Sequence, residues 1–181
     1  LFLPEDLKAN LESSKKYVGI CPGSRHFTKM YPTEYFVELG KHIQKSCRQV
    51  VIFGGRDDME INQNLHGKLE GSIDLTNDND LLQTAFDMKY CEAVICNDSG
   101  LMHAVSAVGV PVVAIFGSTV TDFGFAPYKN QNLILENNSL NCRPCSHIGR
   151  NSCPKHHFKC MKEIYPQEVY ESLQKLMNDN V

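Results

Sequence analysis

AVICNDSGLMH, the stretch from residue 93 to residue 103, passes from a strand pattern to a helix pattern within one turn. Its first four residues are small or apolar and two of them are β-branched, which favours a buried strand. A polar turn follows, in which Ser99 stands where a helix N-cap is expected. Residues 101–108 then predict a short helix. A buried strand that leads through one turn into a helix is the unit of a parallel α/β sheet.

The same unit recurs on both sides of this stretch. Short apolar runs predict strands at residues 17–21, 50–53, 73–75, 93–96, 112–116 and 133–135. Helices are predicted from an N-cap at Thr33, over 57–69, from Asp80, over 101–108 and over 166–178. Because the strand residues do not alternate between apolar and polar, the strands are expected to be buried on both faces. The sequence therefore predicts an α/β fold with a doubly wound parallel sheet, in which ligands bind beyond the carboxyl ends of the strands.

Length and charge limit the classes of protein to which the chain can belong. Its 181 residues fit one domain, and we expect residues 1–14 to be a linker or lead-in segment before a domain at 15–181. The chain does not begin with Met, so we expect it to be part of a longer protein. A formal net charge of -3 argues against a nucleic acid partner. No apolar run has the length of a membrane span and no signal peptide is visible, which favours a cytoplasmic protein.

Polar and cationic side chains follow the first two predicted strands. Ser24, Arg25 and Lys29 come after the first strand and offer a hydroxyl group and two cations to phosphate oxygens. Asp58 follows the second strand, at a position from which a carboxylate accepts hydrogen bonds from ribose hydroxyls. Taken singly, a loop lysine is usually solvated surface, and an acid at a helix start is favoured by the helix dipole. A strict glycine-rich dinucleotide motif and a P-loop are both absent from the sequence.

The turn after the fourth strand offers a second group of phosphate donors. Ser99 and Gly100 begin a helix whose first amides have no partner within the helix and would face a diphosphate. The carboxylate of Asp98 would repel phosphate, so we expect it to point toward a hydroxyl group of a sugar or toward the amides of its own loop. His103 lies one turn into the helix, where it either donates to phosphate or packs in the core.

Several of these loops together resemble one family. The segments PGS at 22–24, KMYP at 29–32, FGG at 53–55, NDSGLMH at 97–103 and GST at 117–119 resemble, in order and spacing, the C-terminal domain of the ADP-heptose:lipopolysaccharide heptosyltransferases, glycosyltransferase family 9. The resemblance runs from about Tyr17 to the C-terminus. It implies the C-terminal half of a GT-B enzyme, in which two Rossmann-like domains face a cleft. The acceptor and an acidic general base would then belong to an N-terminal domain outside this chain.

The resemblance also implies roles for particular residues. It implies a phosphate-binding loop at Ser24, Arg25 and Lys29, a ribose-binding acid at Asp58, an adenine near Asn79, and a donor-binding turn at Asp98, Ser99, Gly100 and Leu101 with His103 beside it. Tyr31 stands where the family usually has Trp, which is a small change of aromatic packing.

The reaction that the resemblance implies is an inverting transfer of heptose from ADP-heptose to the lipopolysaccharide core. Lys29, the helix amides and His103 are expected to stabilise the departing diphosphate, and no cofactor is required. The enzyme would work at the cytoplasmic face of the inner membrane. Two alternatives stay open, namely a GT-B domain for a different nucleotide sugar and a non-catalytic nucleotide- or metal-binding module.

Four of the eight cysteines lie close together in the segment 142–160. Their spacing, Cys142-x2-Cys145-x7-Cys153-x6-Cys160, is similar to that of a four-thiolate zinc site, with three histidines of the segment as spare ligands. The gap between the second and third cysteine is short for a zinc ribbon. A structural metal, a disulfide and reduced thiols therefore stay open as three alternatives, and no metal is assigned to the predicted site. Nothing else in the segment forms a nucleophile–base pair, which counts against a catalytic thiol.

Overall fold

A computed structural model describes residues 2–78 and 80–178 of the protein. The strands of this part of the chain are β1 (Tyr17–Cys21), β2 (Gln49–Ile52), β3 (Ile73–Asp74), β4 (Cys91–Asn97), β5 (Val112–Phe116) and β6 (Asn132–Glu136). Its α-helices are α1 (Thr33–Lys45), α2 (Met59–Lys68), α3 (Leu81–Met88), α4 (Gly100–Ala107), α5 (Lys159–Lys162) and α6 (Pro166–Asn178). Short 3₁₀ helices lie at Phe27–Lys29, Arg56–Asp58 and Thr121–Phe123.

The six strands form one parallel sheet in the order β3-β2-β1-β4-β5-β6. The chain adds strands to one side of β1 first, then crosses over and adds β4, β5 and β6 to the other side. This order confirms the predicted doubly wound fold, and it leaves a crevice beyond the carboxyl ends of β1 and β4, where the direction of winding changes.

Apolar side chains cover both faces of the sheet, as the absence of alternation in the strands predicts. On one face the strands pack against α1, α2 and α6, whose buried residues include Phe36, Leu65 and Leu173. On the other face they pack against α3 and α4 through Met88 and Val105. The sheet is therefore the middle layer of three, and polar residues are left to the loops at its two edges.

Helix starts differ from the sequence prediction in three places, and the smallest difference is in α4, which begins at Gly100 instead of residue 101. Thr33 is the first residue of α1 rather than its cap, because the carbonyl of Pro32 already accepts the amides of Tyr35 and Phe36, at 3.0 and 3.1 Å. The helix predicted over 57–69 opens instead with the 3₁₀ turn Arg56–Asp58, and α2 follows it. The start of α3 is as predicted, since the side chain of Asp80 accepts the Gln83 amide at 3.0 Å.

The lead-in segment is bound to the domain although its described residues form neither helix nor strand. The backbone amide and the side-chain amide of Asn10 donate to the two carboxylate oxygens of Asp87 in α3, each at 2.8 Å. Leu11 is buried in the core beneath α3 and α4. The segment therefore packs as an extension of the domain.

Candidate functional site

A cavity of about 1200 Å³ lies at the carboxyl edge of the sheet, where the topology predicts a ligand site. The loops after β1, β2 and β4 and the first turn of α3 surround it. Its lining residues are Gly23, Ser24, Arg25, Met30, Thr33, Gly54, Gly55, Asp57, Asp58, Glu60, Ile61, Asn64, Asn77, Leu81, Thr84, Ser99, Gly100 and Leu101.

Most of the predicted site residues meet in this cavity. Those that line it are Ser24, Arg25, Asp58, Ser99, Gly100 and Leu101. Asn79, near which an adenine is predicted, lies outside the described residues, although Asn77 and Leu81 on either side of it line the cavity. The lining does not include Lys29, Asp98 or His103.

Arg25 supplies positive charge at the mouth of the cavity. Its side chain is exposed and, among the described residues, it has no hydrogen-bond or ion-pair partner. A guanidinium group offers several donors in a planar fork that matches two phosphate oxygens at once. Arg25 is therefore placed to bind an anion that enters the cavity.

The start of α4 also lines the cavity, next to the loop that carries Arg25. Ser99 stands at the N-cap, as predicted, but its hydroxyl makes no capping hydrogen bond. The Oγ atom is buried, and no partner for it exists among the residues that the structure describes. A buried hydroxyl without a partner is costly, so this group and the first amides of α4 are available to an anionic ligand.

Asp58 contributes a carboxylate to the lining of the cavity. Its Oδ2 atom accepts the amide of Gly55 at 2.9 Å. Burial raises the pKa of Asp58, while the hydrogen bond from Gly55 works in the other direction. The loops come so close here that a Cβ atom on Gly23 would lie 1.8 Å from Oδ1 of Asp58, and one on Gly54 would lie 2.2 Å from Nδ2 of Asn62. Glycine at these positions lets the carboxylate reach the cavity.

Lys29 does not point into the cavity but forms an ion pair behind it. Its Nζ atom lies 2.7 Å from Oδ2 of Asp98, and the two side chains are 15% and 4% exposed. The Thr119 hydroxyl donates to the same carboxylate oxygen at 2.7 Å, and the Ser24 hydroxyl donates to the Asp98 carbonyl at 3.2 Å. The Asp98 carboxylate does not line the cavity, and its partners are a lysine and a threonine rather than the amides of its own loop. Its contact with a hydroxyl group of a donor sugar stays a prediction.

His103 is exposed on α4, one turn from the helix start. It has no hydrogen bond to another described residue and does not line the cavity. Packing of this side chain in the core, one of the two expected alternatives, is therefore wrong. Its contact with a diphosphate stays a prediction.

Asn97 holds the loop between β1 and α1 in place, a role that the motif did not reveal. The side chain is fully buried at the end of β4. Its Oδ1 atom accepts the amide of Tyr31 at 3.0 Å, and its Nδ2 atom donates to the carbonyl of Pro22 at 2.7 Å. One amide group therefore ties both ends of the loop that carries Arg25. A polar residue directly before the turn was the signal available in the sequence.

Comparisons with known proteins identify the family of the chain. Residues 4–156 match the family model described as glycosyltransferase family 9 (heptosyltransferase). The chain belongs to glycosyltransferase family 9. It is 32% identical over 172 residues to the lipooligosaccharide heptosyltransferase 2 of Campylobacter jejuni, covering 92% of this chain and 53% of that relative. Five curated relatives align with at least 92% of this chain, and the chain spans about half the length of each of them.

Two solved structures of the family have the same fold. The structure of Escherichia coli ADP-heptose lps heptosyltransferase II superposes with a TM-score of 0.77 at 26% identity, covering 94% of this chain and 49% of that one. The glycosyl transferase family 9 protein of Veillonella parvula gives a TM-score of 0.79 at 25% identity, covering 94% and 48%. In both cases this family 9 domain corresponds to about half of a longer chain.

The cysteine-rich segment of this family 9 domain contains free thiols. All eight cysteines are unbridged. Within residues 2–78 and 80–178, no group of three or more His, Cys, Asp or Glu side chains is arranged to hold a metal ion. Burial, with a contribution from the neighbouring thiols, raises the pKa of Cys160 to about 11 and also raises the pKa of Cys145. These two thiols are thus protonated at neutral pH.

Among the described residues, no helix is both long enough and apolar enough to cross a membrane.

Proposed function

We propose that this domain binds the ADP-sugar donor, ADP-heptose, of an inverting glycosyltransferase that builds the lipopolysaccharide core. The observation that carries the proposal is the convergence of Arg25, the unpartnered Ser99 hydroxyl and the start of α4 on one cavity. These groups supply a cation, a hydroxyl donor and helix amides, which together suit a diphosphate.

The rest of the cavity suits the nucleoside. The Asp58 carboxylate lies on the floor, where it is able to accept hydrogen bonds from two ribose hydroxyls. Beyond it, Leu81, Thr84 and Asn77 line a mixed apolar and polar wall for the base. Leu81 is 51% exposed, so its side chain offers an apolar surface on which a purine ring would pack.

The donor would be activated by stabilising its leaving group. As the acceptor hydroxyl attacks the anomeric carbon, negative charge grows on the departing ADP. Arg25 and the α4 amides would balance that charge, and the amides are fixed in place by the helix before the reaction. Lys29 would contribute by holding Asp98 beneath the turn, and His103 stays a proposed contact of the leaving diphosphate. The general base and the acceptor site are proposed to lie outside this chain.

The place of action follows from the proposed acceptor. Transfer to the lipopolysaccharide core would take place at the cytoplasmic face of the inner membrane, where the domain would act as a peripheral protein.

Isothermal titration calorimetry with ADP, UDP and GDP tests the proposal. We expect this chain to bind ADP with a clear preference over the other two. The Arg25→Met variant should bind ADP at least about tenfold more weakly, because a hydrogen bond to a charged group contributes about 1.5–3 kcal/mol.

A matched control is Arg48→Met, since Arg48 pairs with Glu92 and lies just before β2, at the opposite edge of the sheet. This variant should bind ADP like the original protein. A preference for UDP would indicate a different nucleotide sugar, and no binding of any nucleoside diphosphate would refute a donor-binding function.

A further inference from the structure

Arg143, in the cysteine-rich segment, carries a buried guanidinium group close to the donor cavity. Its side chain is only 3% exposed, although arginine is almost always found at the surface of proteins. The carboxylate of Glu136, at the end of β6, pairs with it at 2.8 Å. A buried charge with such a partner is stable only when its remaining donors are also bonded.

The remaining donors of Arg143 reach carbonyl groups of the turn that follows β5 and of the residue that follows β6. Its Nε atom donates to Gly117 at 2.5 Å, and its Nη2 atom donates to Thr119 at 2.8 Å. The Nη1 atom donates to the carbonyl of Asn137 at 2.8 Å. One side chain thus fixes both ends of the turn 117–119 and ties it to the end of β6.

The turn 117–119 touches the donor loops directly. The Thr119 hydroxyl donates to the Asp98 carboxylate at 2.7 Å, and Asp98 in turn pairs with Lys29 at 2.7 Å. On the other side of the turn, the Ser118 hydroxyl donates to the Thr28 hydroxyl at 2.9 Å. Both loops that carry proposed phosphate ligands, the one after β1 and the one after β4, are therefore bonded to this turn.

We propose that Arg143 is a positioning residue of the donor site: it sets the turn 117–119, and Thr119 passes that geometry to Asp98 and the start of α4. The inference rests on the proposed function, because it concerns the affinity of the same cavity for a nucleoside diphosphate. Arg143 itself does not line the cavity. Its effect is indirect, through hydrogen bonds to backbone carbonyls that only a forked, multiply donating group satisfies together.

The test measures the ADP affinity and the thermal midpoint of folded Arg143→Met, Arg143→Lys and Thr119→Val variants by calorimetry. We expect Arg143→Met to bind ADP at least about tenfold more weakly at a temperature at which it is fully folded. Arg143→Lys should not restore the affinity, since an ammonium group lacks the fork, and it also serves if the Met variant does not fold. The matched control is Arg150→Met, which removes a guanidinium group of the same segment. Among the described residues that group bonds only the carbonyl of Cys145, so its loss should leave ADP affinity unchanged.

A double variant separates positioning from general stability. If the effect passes through Thr119, the loss of affinity in Arg143→Met combined with Thr119→Val should be smaller than the product of the two single losses. A folded Arg143→Met protein with unchanged ADP affinity would overturn the positioning role of Arg143. So would a double variant whose loss of affinity equals the product of the two single losses. If the original protein binds no nucleoside diphosphate, the proposed function fails and this inference fails with it. If the original protein and Arg143→Met bind ADP equally, only the role of Arg143 fails.

Discussion

Replacing Lys29 with Met tests the ion pair beneath the turn between β4 and α4. The Nζ atom of Lys29 lies 2.7 Å from Oδ2 of Asp98, and the two side chains are 15% and 4% exposed. Methionine keeps an unbranched chain but removes the charge, so the Asp98 carboxylate is left buried without its cation. We therefore expect this substitution to reduce the free energy of unfolding substantially.

The size of the loss follows from the burial of the pair. Removing one partner of a buried ion pair costs about 3–5 kcal/mol, because the other charge stays desolvated. Asp98 keeps the hydrogen bond from the Thr119 hydroxyl at 2.7 Å. We therefore expect the lower end of the range, about 3 kcal/mol. In a domain of this size each kcal/mol lowers Tm by about 2–4 °C, so Tm should fall by about 6–12 °C.

Urea unfolding of a double-mutant cycle measures the interaction itself. The cycle contains the original protein, Lys29→Met, Asp98→Asn and the double variant. The double variant should be less destabilised than the sum of the single variants, with a coupling of at least about 1 kcal/mol, because neither charge is then left alone. Lys15→Met is the matched control, since Lys15 lies 2.8 Å from Glu12 in an exposed pair and its loss should hardly change the midpoint.

Two results would refute this reasoning. A loss below about 1 kcal/mol in Lys29→Met would mean that the Asp98 carboxylate is solvated or paired elsewhere. Additive single effects would mean that the two residues stabilise the protein independently.

Three further predictions follow from the site. Because burial raises the pKa of Asp58 above 3.8, its folded form binds a proton more tightly than its unfolded form. The original protein should therefore lose stability relative to Asp58→Asn as pH rises from 3.8 through the raised pKa. Thermal melts across that pH range measure the difference in Tm between the two proteins. A difference in Tm that does not change with pH would contradict the burial of Asp58. Gly23→Ala should push the Asp58 carboxylate aside, since the new Cβ atom would lie 1.8 Å from Oδ1. Calorimetry should then show clearly weaker ADP binding. Equal binding by both proteins would argue against Asp58 as a nucleoside ligand. With a thiol reagent near neutral pH, the exposed Cys47 should react much faster than Cys160, whose pKa is about 11, and mass spectrometry of labelled peptides would reveal the opposite order.

Local patterns predicted the strands and most helices well. A short strand that is buried on both faces is recognisable because nearly all of its residues are apolar. The runs at β1 and β5 have the predicted bounds. The edge strand β3 is shorter than predicted, ending at Asp74, although the Leu75 amide still donates to the carbonyl of Ile52 at 2.9 Å. The helix α5 was not predicted, since four residues give too little periodicity to detect.

By itself, the sequence determined the doubly wound sheet, the edge at which the ligand loops meet, and the glycosyltransferase family. These depend on residue types at short spacing, which a chain displays before it folds. Only the tertiary structure decided which cation faces the cavity: Arg25 lines it, whereas Lys29 is neutralised by Asp98 from a distant loop. Likewise, nothing near Arg143 in the sequence reveals that it holds the turn after β5. Charge pairing and burial arise between segments far apart in the chain, so they exist only once the loops have been brought together.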